Sequence, residues 1–264
     1  MAADIPLFRA IEIETLGACN RTCWFCKFGQ PRESEPVQRM SWPLIERIVA
    51  NLQRLEYRGR LSWYKINEPL LDKRLEEILQ LSRTSLPDCW LSLVSNGDLL
   101  TEEKFHRLLA NGLDVLGVSV YDDEVLHKIR QFEHERLIVL DRRPGAEGSF
   151  VENRGGNIQL LTDDTRERNA RDVRQRNCLR PSTMMSVQPD GRASLCCCDL
   201  YGDIVVGDVN VEALEQIWWG DRLTLYRATL RDRGRSELPL CASCTYDGWP
   251  APRLWPLGFG TVRA

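Results

Sequence analysis

Three cysteines near the start of the chain constrain its fold and chemistry more than any other feature. Cys19, Cys23 and Cys26 follow the spacing C-x3-C-x2-C, directly after a strand-like segment at residues 11–16. A loop at the end of a strand lets three thiolates converge on one metal centre. A [4Fe–4S] cluster takes four ligands, so three thiolates would leave one iron open to an external chelator. The spacing therefore indicates an iron–sulfur cluster with one exchangeable position.

A zinc site is the main alternative for this loop, and chance spacing is another. Zinc sites usually combine a C-x2-C pair with a second nearby pair and close at four ligands. This loop has no nearby fourth ligand, and His106, His127 and His134 all lie far downstream. The iron–sulfur interpretation is therefore favoured.

The run CNRTCWFC, with Phe25 directly before its last cysteine, resembles the signature of radical S-adenosylmethionine (SAM) enzymes. The resemblance implies a partial (β/α)6 barrel in which SAM binds the open iron through its amino and carboxylate groups. It also implies that an electron from the cluster cleaves SAM to a 5′-deoxyadenosyl radical. A low-potential donor such as a flavodoxin or ferredoxin would supply that electron.

The same resemblance implies where SAM is contacted. At the end of the second predicted strand the family carries a Gly-Gly-Glu motif, and this chain reads Ile-Asn-Glu, so that Glu68 could accept from the SAM ammonium. Polar side chains at the ends of the third and fourth predicted strands match the family's ribose and carboxylate contacts. The implied SAM-binding residues are Phe25, Asn67, Glu68, Ser95, Asn96 and Ser119.

Strand-like and helix-like segments alternate over the first 145 residues. The strand-like segments are 11–16, 60–66, 90–95, 115–121 and 137–140, and helical periodicity marks 41–55, 72–84 and 101–110. Repeated β-then-α units predict an α/β fold with a parallel sheet, open or closed as a barrel. Sites on such sheets lie at the C-terminal ends of the strands, where the first cysteine loop also falls.

A second set of cysteines lies in the last third of the chain. Cys178 precedes Gly191 by thirteen positions, Cys196 follows five positions after Gly191, and Cys241 and Cys244 form a C-x2-C pair. Two short strands joined at Gly191 could bring the first two thiols together. Four thiolates would close an iron–sulfur cluster, but two separated pairs also describe a zinc ribbon, and spacing alone favours neither.

This second pattern resembles the SPASM/Twitch extension of radical SAM enzymes, which favours iron–sulfur. The absence of cysteines after Cys244 matches the shorter Twitch form with one auxiliary cluster. The resemblance then implies two [4Fe–4S] clusters. It divides the chain into a radical SAM partial barrel at 1–160, a charged linker at 161–177 and a small Twitch-like auxiliary-cluster domain at 178–264.

Three further cysteines need separate interpretations. Cys197 and Cys198 follow Cys196 directly, and alternate side chains of a strand face opposite ways, so Cys198 would share a side with Cys196. Either could donate a hydrogen atom in an active site, or could simply be packed, since free cysteine behaves as a small hydrophobe. Cys89, at the start of a predicted strand, is expected in the core.

Two basic residues are candidates for the active site. Residues 153–156 (NRGG) resemble a stretch that places an arginine at the substrate in a family member that oxidises an aminocyclitol, which implies a catalytic role for Arg154. A surface loop arginine is the alternative. Lys65, near the end of the second predicted strand, could meet an anionic substrate.

Four functions remain open from the sequence. The leading hypothesis is a radical SAM dehydrogenase of natural-product biosynthesis. It would oxidise a small aminocyclitol or aminosugar-like alcohol to a ketone, with the auxiliary cluster accepting the electron. Redox-neutral epimerisation through a cysteine thiol is the second, maturation of a ribosomal peptide the third, and a non-catalytic metal-binding module the fourth.

Composition sets the remaining expectations. The 264 residues carry a net charge of −3, which gives no support to a nucleic-acid partner. The N-terminus lacks the features of a signal peptide, and no apolar run approaches the roughly 18–20 residues that span a bilayer. The sequence therefore predicts a cytoplasmic enzyme with no membrane partner.

Overall fold

A computed structural model describes residues 6–30, 36–143, 153–158 and 177–246. Within these ranges the strands are β1 Ala10–Ile13, β2 Arg60–Ser62, β3 Trp90–Ser95, β4 Val115–Val120, β5 Leu137–Asp141, β6 Met184–Val187, β7 Arg192–Ser194 and β8 Val205–Asp208. The helices are α1 Trp42–Arg54, α2 Leu75–Ser85, α3 Glu102–Ala110, α4 Asp123–Ile129, α5 Arg180–Thr183, α6 Leu214–Trp219, α7 Asp221–Asp232 and α8 Pro239–Ala242. Short 3-10 turns lie at Pro69–Leu71 and Arg235–Glu237.

These strands form one sheet in the order β5-β4-β3-β2-β1-β6-β7-β8. Strands β1 to β5 are parallel to their neighbours, β6 is parallel to β1, and β7 and β8 continue as antiparallel strands. The predicted α/β fold is confirmed as an open mixed sheet. Five parallel strands come from the first 141 residues, and the sixth comes from beyond Cys178.

The helices form where the sequence pattern predicts an apolar face. In α1, Ser41 Oγ accepts from Leu44 N at 3.3 Å, and Pro43 occupies the first turn, where its missing N–H costs nothing. Helix α3 begins in the same way, with Thr101 Oγ1 accepting from Lys104 N at 3.1 Å. The buried residues of α1 are Leu44, Ile45, Ile48, Val49 and Leu52.

Some elements differ from the expectation. The strand predicted at 60–66 ends at Ser62, because the following residues turn inward to meet other loops. Helices α6 and α7 are separated at Gly220, which adopts an extended conformation with ψ 157°. Helix α4 was too short to show a clear period, although Asp122 caps it by accepting from Val125 N at 2.9 Å.

The sheet brings the predicted site segments to one edge. The cysteine loop follows β1, Glu68 follows β2, Ser95 ends β3, and Ser119 lies in β4. Because these strands are parallel, their C-terminal ends lie side by side. No helix in the described ranges is long and apolar enough to cross a bilayer.

Candidate active site

The loop after β1 holds the first three cysteines in a series of tight turns. Cys26 N donates to Cys23 O at 3.0 Å, and Gly29 N donates to Cys26 O at 3.0 Å. A Cβ at Gly29 would lie 2.1 Å from Cys23 O, so the turn has room only for glycine. Burial raises the pKa of each of the three thiols, and repulsion from Cys26 raises the pKa of Cys19 and Cys23 further. The three sulfurs are therefore neighbours, which fits a shared cluster.

Glu68 joins three of the predicted SAM-binding positions. Its Oε1 accepts from Leu70 N at 3.0 Å and from Ser95 Oγ at 2.9 Å, and its Oε2 accepts from Asn96 N at 2.8 Å. Glu68 N donates to Ala18 O at 2.9 Å, which ties this group to the cysteine loop. Burial raises the pKa of the Glu68 carboxyl. A carboxylate has about four acceptor positions, so one remains for a cationic ligand.

Amide side chains extend this group toward the first cysteines. Asn96 Nδ2 donates to Asn20 Oδ1 at 2.8 Å and lies 3.8 Å from Cys19 Sγ. Asn67 Oδ1 accepts from Lys65 N at 3.3 Å, and its Nδ2 is buried with no partner among the described residues. A buried donor without a partner is costly, so the Asn67 amide is suited to a ligand acceptor.

Arg21 is a member of this site that sequence reasoning missed. Its guanidinium pairs with Asp98 through Nε at 2.7 Å and with Asp122 through Nη2 at 2.7 Å. Those hydrogen bonds raise the pKa of Arg21. The ion pairs connect the cysteine loop to the segments after β3 and β4. The sequence feature that could have indicated this ion pair is Asp98, the acidic residue directly after Asn96-Gly97.

Aromatic rings line the other side of the cysteine loop. The rings of Phe25 and Tyr121 lie 5.4 Å apart, and Tyr121 is hydrogen-bonded to Ser119. Phe25 also packs against the buried pair Ile158 and Leu200. Phe25 and Ser119 thus lie close together, as the SAM-site prediction requires.

The second four cysteines also come together. Burial, and after it repulsion from Cys196, raises the pKa of Cys178 to about 11. Burial also raises the pKa of Cys241, and repulsion from the other three thiols of the set raises it further. The hairpin at Gly191 brings the chain from Cys178 back to Cys196. The four thiols fit the thiolate set of a closed cluster. No three His, Cys, Asp or Glu side chains in the described ranges are arranged to hold a single metal ion.

The cysteine triplet is not part of a strand. Strand β7 ends at Ser194, and Cys196 to Cys198 lie in a turn, so the alternation expected of a strand does not apply. Cys198 is hydrogen-bonded to Cys196, Cys197 and Cys244. Cys197 Sγ also accepts from Arg180 Nη1 at 2.8 Å. The two extra thiols therefore have different surroundings, Cys198 among the second cysteine set and Cys197 beside a buried cation.

Lys65 joins β2 to the second cysteine segment. Its Nζ donates to Asp199 O at 2.9 Å and to Ser194 Oγ at 3.4 Å, and the side chain is buried. Desolvation lowers the pKa of its ammonium. These protein acceptors favour a joining role over the expected contact with an anionic substrate.

Arg154 lies in the turn at residues 153–158, where Asn157 Nδ2 donates to Arg154 O at 2.9 Å and to Cys198 O at 3.1 Å. Its positive charge acts to lower the pKa of both Cys26 and Cys197, and it also acts on the phenols of Tyr64 and Tyr121. It takes a left-handed backbone conformation with φ 48°. The Arg154 side chain is half-buried.

Buried ion pairs inside the sheet were also missed from the sequence. Glu12 pairs with Arg60 at 2.7 Å, and Glu14 pairs with Lys27 at 3.1 Å. Glu12 and Glu14 alternate with isoleucines in and directly after β1, a pattern usually typical of a solvent-facing strand. Here both faces of β1 are buried, so the two carboxylates lie inside the molecule and are paired.

Comparisons with known proteins agree with both halves of this geometry. Residues 13–141 match the model of the radical SAM superfamily, and residues 178–245 match SPASM, an iron–sulfur cluster-binding domain. The chain is 27% identical over 245 residues to the S-adenosyl-L-methionine-dependent 2-deoxy-scyllo-inosamine dehydrogenase of Niallia circulans, covering 90% of this chain and 93% of that relative.

Solved structures show the same fold. The crystal structure of BtrN in complex with AdoMet and 2-DOIA superposes with a TM-score of 0.78 at 26% identity, covering 90% of this chain and 93% of that chain. Native anSMEcpe with bound AdoMet has a TM-score of 0.55 at 12% identity, covering 89% of this chain and 88% of that chain. At that identity the second likeness shows the fold alone.

The fold and the cysteine loop therefore define a radical SAM enzyme. The chain belongs to the radical SAM superfamily and carries a SPASM domain at its C-terminal end. Its cofactors are SAM and two iron–sulfur clusters.

Proposed function

We propose that this enzyme is a dehydrogenase that oxidises an alcohol carbon of an aminocyclitol or aminosugar-like substrate to a ketone. The observation that carries the proposal is the placement of Arg154 beside the second cysteine set: Asn157 Nδ2 donates to both Arg154 O, at 2.9 Å, and Cys198 O, at 3.1 Å. The similarity to a 2-deoxy-scyllo-inosamine dehydrogenase over 90% of this chain supports the substrate class.

Each cofactor has a set of residues suited to it. Cys19, Cys23 and Cys26 would hold the first cluster, and the second four cysteines would hold the other. Glu68 would accept from the SAM ammonium, beside the amide of Asn67. When bound, SAM and the first cluster supply a hydrogen-abstracting radical, and the second cluster takes up one electron.

Arg154 would act on the substrate hydroxyl. A guanidinium stays charged at any working pH and has only donors, so it binds the hydroxyl oxygen and stabilises negative charge as the proton leaves. Its surroundings, which include the half-buried ring of Tyr64, strengthen that interaction. Burial raises the pKa of the Tyr64 phenol, so Tyr64 is a hydrogen-bond donor and not a base.

Arg154→Gln should therefore lower kcat for ketone formation by about 10²-fold or more, as removal of one oxyanion donor typically does. Arg154→Lys keeps the charge and should retain part of the rate. The measurement uses enzyme reconstituted without oxygen, SAM, a low-potential reductant and 2-deoxy-scyllo-inosamine, with ketone and 5′-deoxyadenosine followed by mass spectrometry.

Arg58→Gln is the matched control, because Arg58 is an exposed arginine paired with Asp88 at 3.7 Å. It should leave the rate unchanged. Ketone formation by Arg154→Gln at the rate of the unaltered enzyme would remove the role given to Arg154. Absence of any ketone with aminocyclitols and aminosugars would remove the substrate class.

Epimerisation is the second candidate, and the location of Cys197 favours it. The positive charge of Arg154 acts to lower the pKa of this thiol, which is consistent with both side chains facing the same part of the protein interior. A thiol there could return a hydrogen atom to the substrate carbon from the opposite face. In deuterated water an epimerase would place deuterium on that carbon, and Cys197→Ala would abolish the exchange. A ketone product without carbon deuteration favours the dehydrogenase.

A further inference from the structure

We propose that the turn formed by residues 153–158, here called the Arg154 turn, couples the second cluster to substrate binding by fixing Arg154. In this view the second cluster has a role besides accepting an electron: its site holds the turn that presents Arg154 to substrate. The inference rests on the proposed function of Arg154 and extends it to the residues that position it.

One side of the Arg154 turn is bonded to the loop that carries Cys241 and Cys244. Asn153 N donates to Thr245 Oγ1 at 3.0 Å, and Thr245 N donates back to Asn153 Oδ1 at 3.0 Å. Asn153 Nδ2 donates to Ser243 O at 2.5 Å. These bonds flank Cys244 on both sides, so the position of Asn153 depends on how the C-x2-C loop is held.

The other side of the turn is bonded to the cysteine triplet. Asn157 Nδ2 donates to Cys198 O at 3.1 Å and to Arg154 O at 2.9 Å. One amide group thus links the backbone of Arg154 with the segment that follows Cys196. Two of the three chain segments that would contribute ligands to the second cluster are in this way bonded to the same six residues.

Close packing leaves the turn little freedom. A Cβ at Gly155 would lie 2.5 Å from Leu240 Cδ1, and one at Gly156 would lie 2.5 Å from Ser243 Oγ. Ser243 Oγ donates to Gly155 O at 3.1 Å. The backbone of the turn therefore lies directly against the C-x2-C loop.

The backbone of the turn also needs outside support. Arg154, Gly155 and Gly156 all have positive φ, at 48°, 67° and 81°. A left-handed conformation is unfavourable for arginine and persists where neighbouring contacts hold it. Here those contacts come from two of the three segments that would bind the second cluster, the one that follows Cys196 and the C-x2-C loop. Loss of the cluster would loosen both segments and let Arg154 leave its position. By linkage, substrate binding and order at the second site should then favour each other.

Asn153→Ala and Thr245→Val test this coupling, because each removes hydrogen bonds of the turn without touching Arg154 or a cysteine. Asn153→Ala removes three part-buried hydrogen bonds and Thr245→Val removes two, and either loss should raise the substrate KM roughly tenfold. Iron content and SAM cleavage in the absence of substrate should stay as in the unaltered enzyme. Asn111→Ala, at the exposed C-terminal end of α3, is the control and should leave KM unchanged.

Hydrogen exchange of the turn gives a readout independent of activity. In Cys178→Ala, a ligand position away from the turn, the peptide covering residues 153–158 should exchange faster than in the unaltered holoenzyme, while β3 should not change. Equal protection of residues 153–158 from hydrogen exchange in the two proteins would overturn the coupling. An unchanged KM in both Asn153→Ala and Thr245→Val would also overturn it. If Arg154→Gln is inactive while Asn153→Ala and Thr245→Val are normal, the proposed function stands and the coupling fails. If Arg154→Gln is fully active, the proposed function itself fails.

Discussion

Ten cysteines share one side-chain chemistry in this chain, and their surroundings separate their roles. Three lie in the loop after β1, four form the second set, and two more belong to the turn after β7. Cys89 is the remaining one. It is buried, its Sγ donates to Gly59 O at 3.1 Å, and burial raises its pKa to about 12. The expectation that Cys89 belongs to the core is confirmed.

Cys89 should therefore resist alkylation in the folded protein. With a pKa of about 12, its thiolate fraction at pH 8 is roughly a thousand-fold below that of an ordinary thiol. The rate of Cys89 alkylation should rise about tenfold for each unit of increase in pH, because only the thiolate reacts and its fraction rises in that proportion. Mass spectrometry of the iodoacetamide-treated peptide measures it. The same peptide in denaturant is the control, and equal rates in both states would contradict the buried assignment.

Among the elements, the hairpin β6–β7 is the one that brings Cys178 and Cys196 of the second cysteine set together. Gly191 sits in its turn with φ 92°, Gly191 N donates to Gln188 O at 3.0 Å, and Val209 N donates to Gly191 O at 2.9 Å. The spacing of Cys178, Gly191 and Cys196 predicts this hairpin, and the structure confirms two strands joined there. Strand β8, which completes the sheet, had no comparable signal.

Gly191→Ala and Gly234→Ala separate the demands of backbone and packing. Both glycines have positive φ, so alanine should cost about 1 kcal/mol of stability at each from strain. A Cβ at Gly191 would also lie 2.4 Å from Asn210 Nδ2. No atom of the described residues lies within 4 Å of a Cβ placed at Gly234. Gly191→Ala should therefore lower Tm more and reduce iron at the second site. Equal Tm and equal iron in the two variants would contradict this account.

At the scale of the whole molecule, the two parts suggested by the sequence share one sheet. Strand β6 from beyond Cys178 pairs with β1 over four residues. Trp218 of α6 is fully buried, its ring lies 5.3 Å from that of Phe8, and its Nε1 donates to Pro6 O at 3.0 Å. These contacts join the last third of the chain to its beginning, so the described parts should unfold together.

Trp218→Ala should consequently destabilise the whole molecule by about 3–5 kcal/mol, the usual cost of removing a buried aromatic ring. Its neighbour Trp219, 50% exposed, provides the control, and Trp219→Ala should change stability little. Denaturant unfolding followed by far-UV circular dichroism and by hydrogen exchange of β3 and β7 should show one coincident transition. Separate transitions for β3 and β7 would show that the parts unfold independently.

The sequence determined the alternation of strands and helices, both cysteine spacings and the class of enzyme. Those features are local: period, caps and turns act between neighbouring residues, and a thiolate loop is recognisable by spacing. Glu68, Ser95 and Asn96 could be proposed as one site because parallel strands end at one edge.

Only the tertiary structure decided the environment of each polar group. Lys65 is bonded to Asp199, Cys197 lies beside Arg180, and Asn157 joins the backbone of Arg154 to that of Cys198. Lys65 is 134 residues from its partner in the chain, and Cys197 is 17 residues from its partner. Arg154 is more than 40 residues from Cys198, so no local pattern encodes these pairs. Burial makes their charges and hydrogen bonds matter, and burial arises only when the sheet closes these segments upon one another.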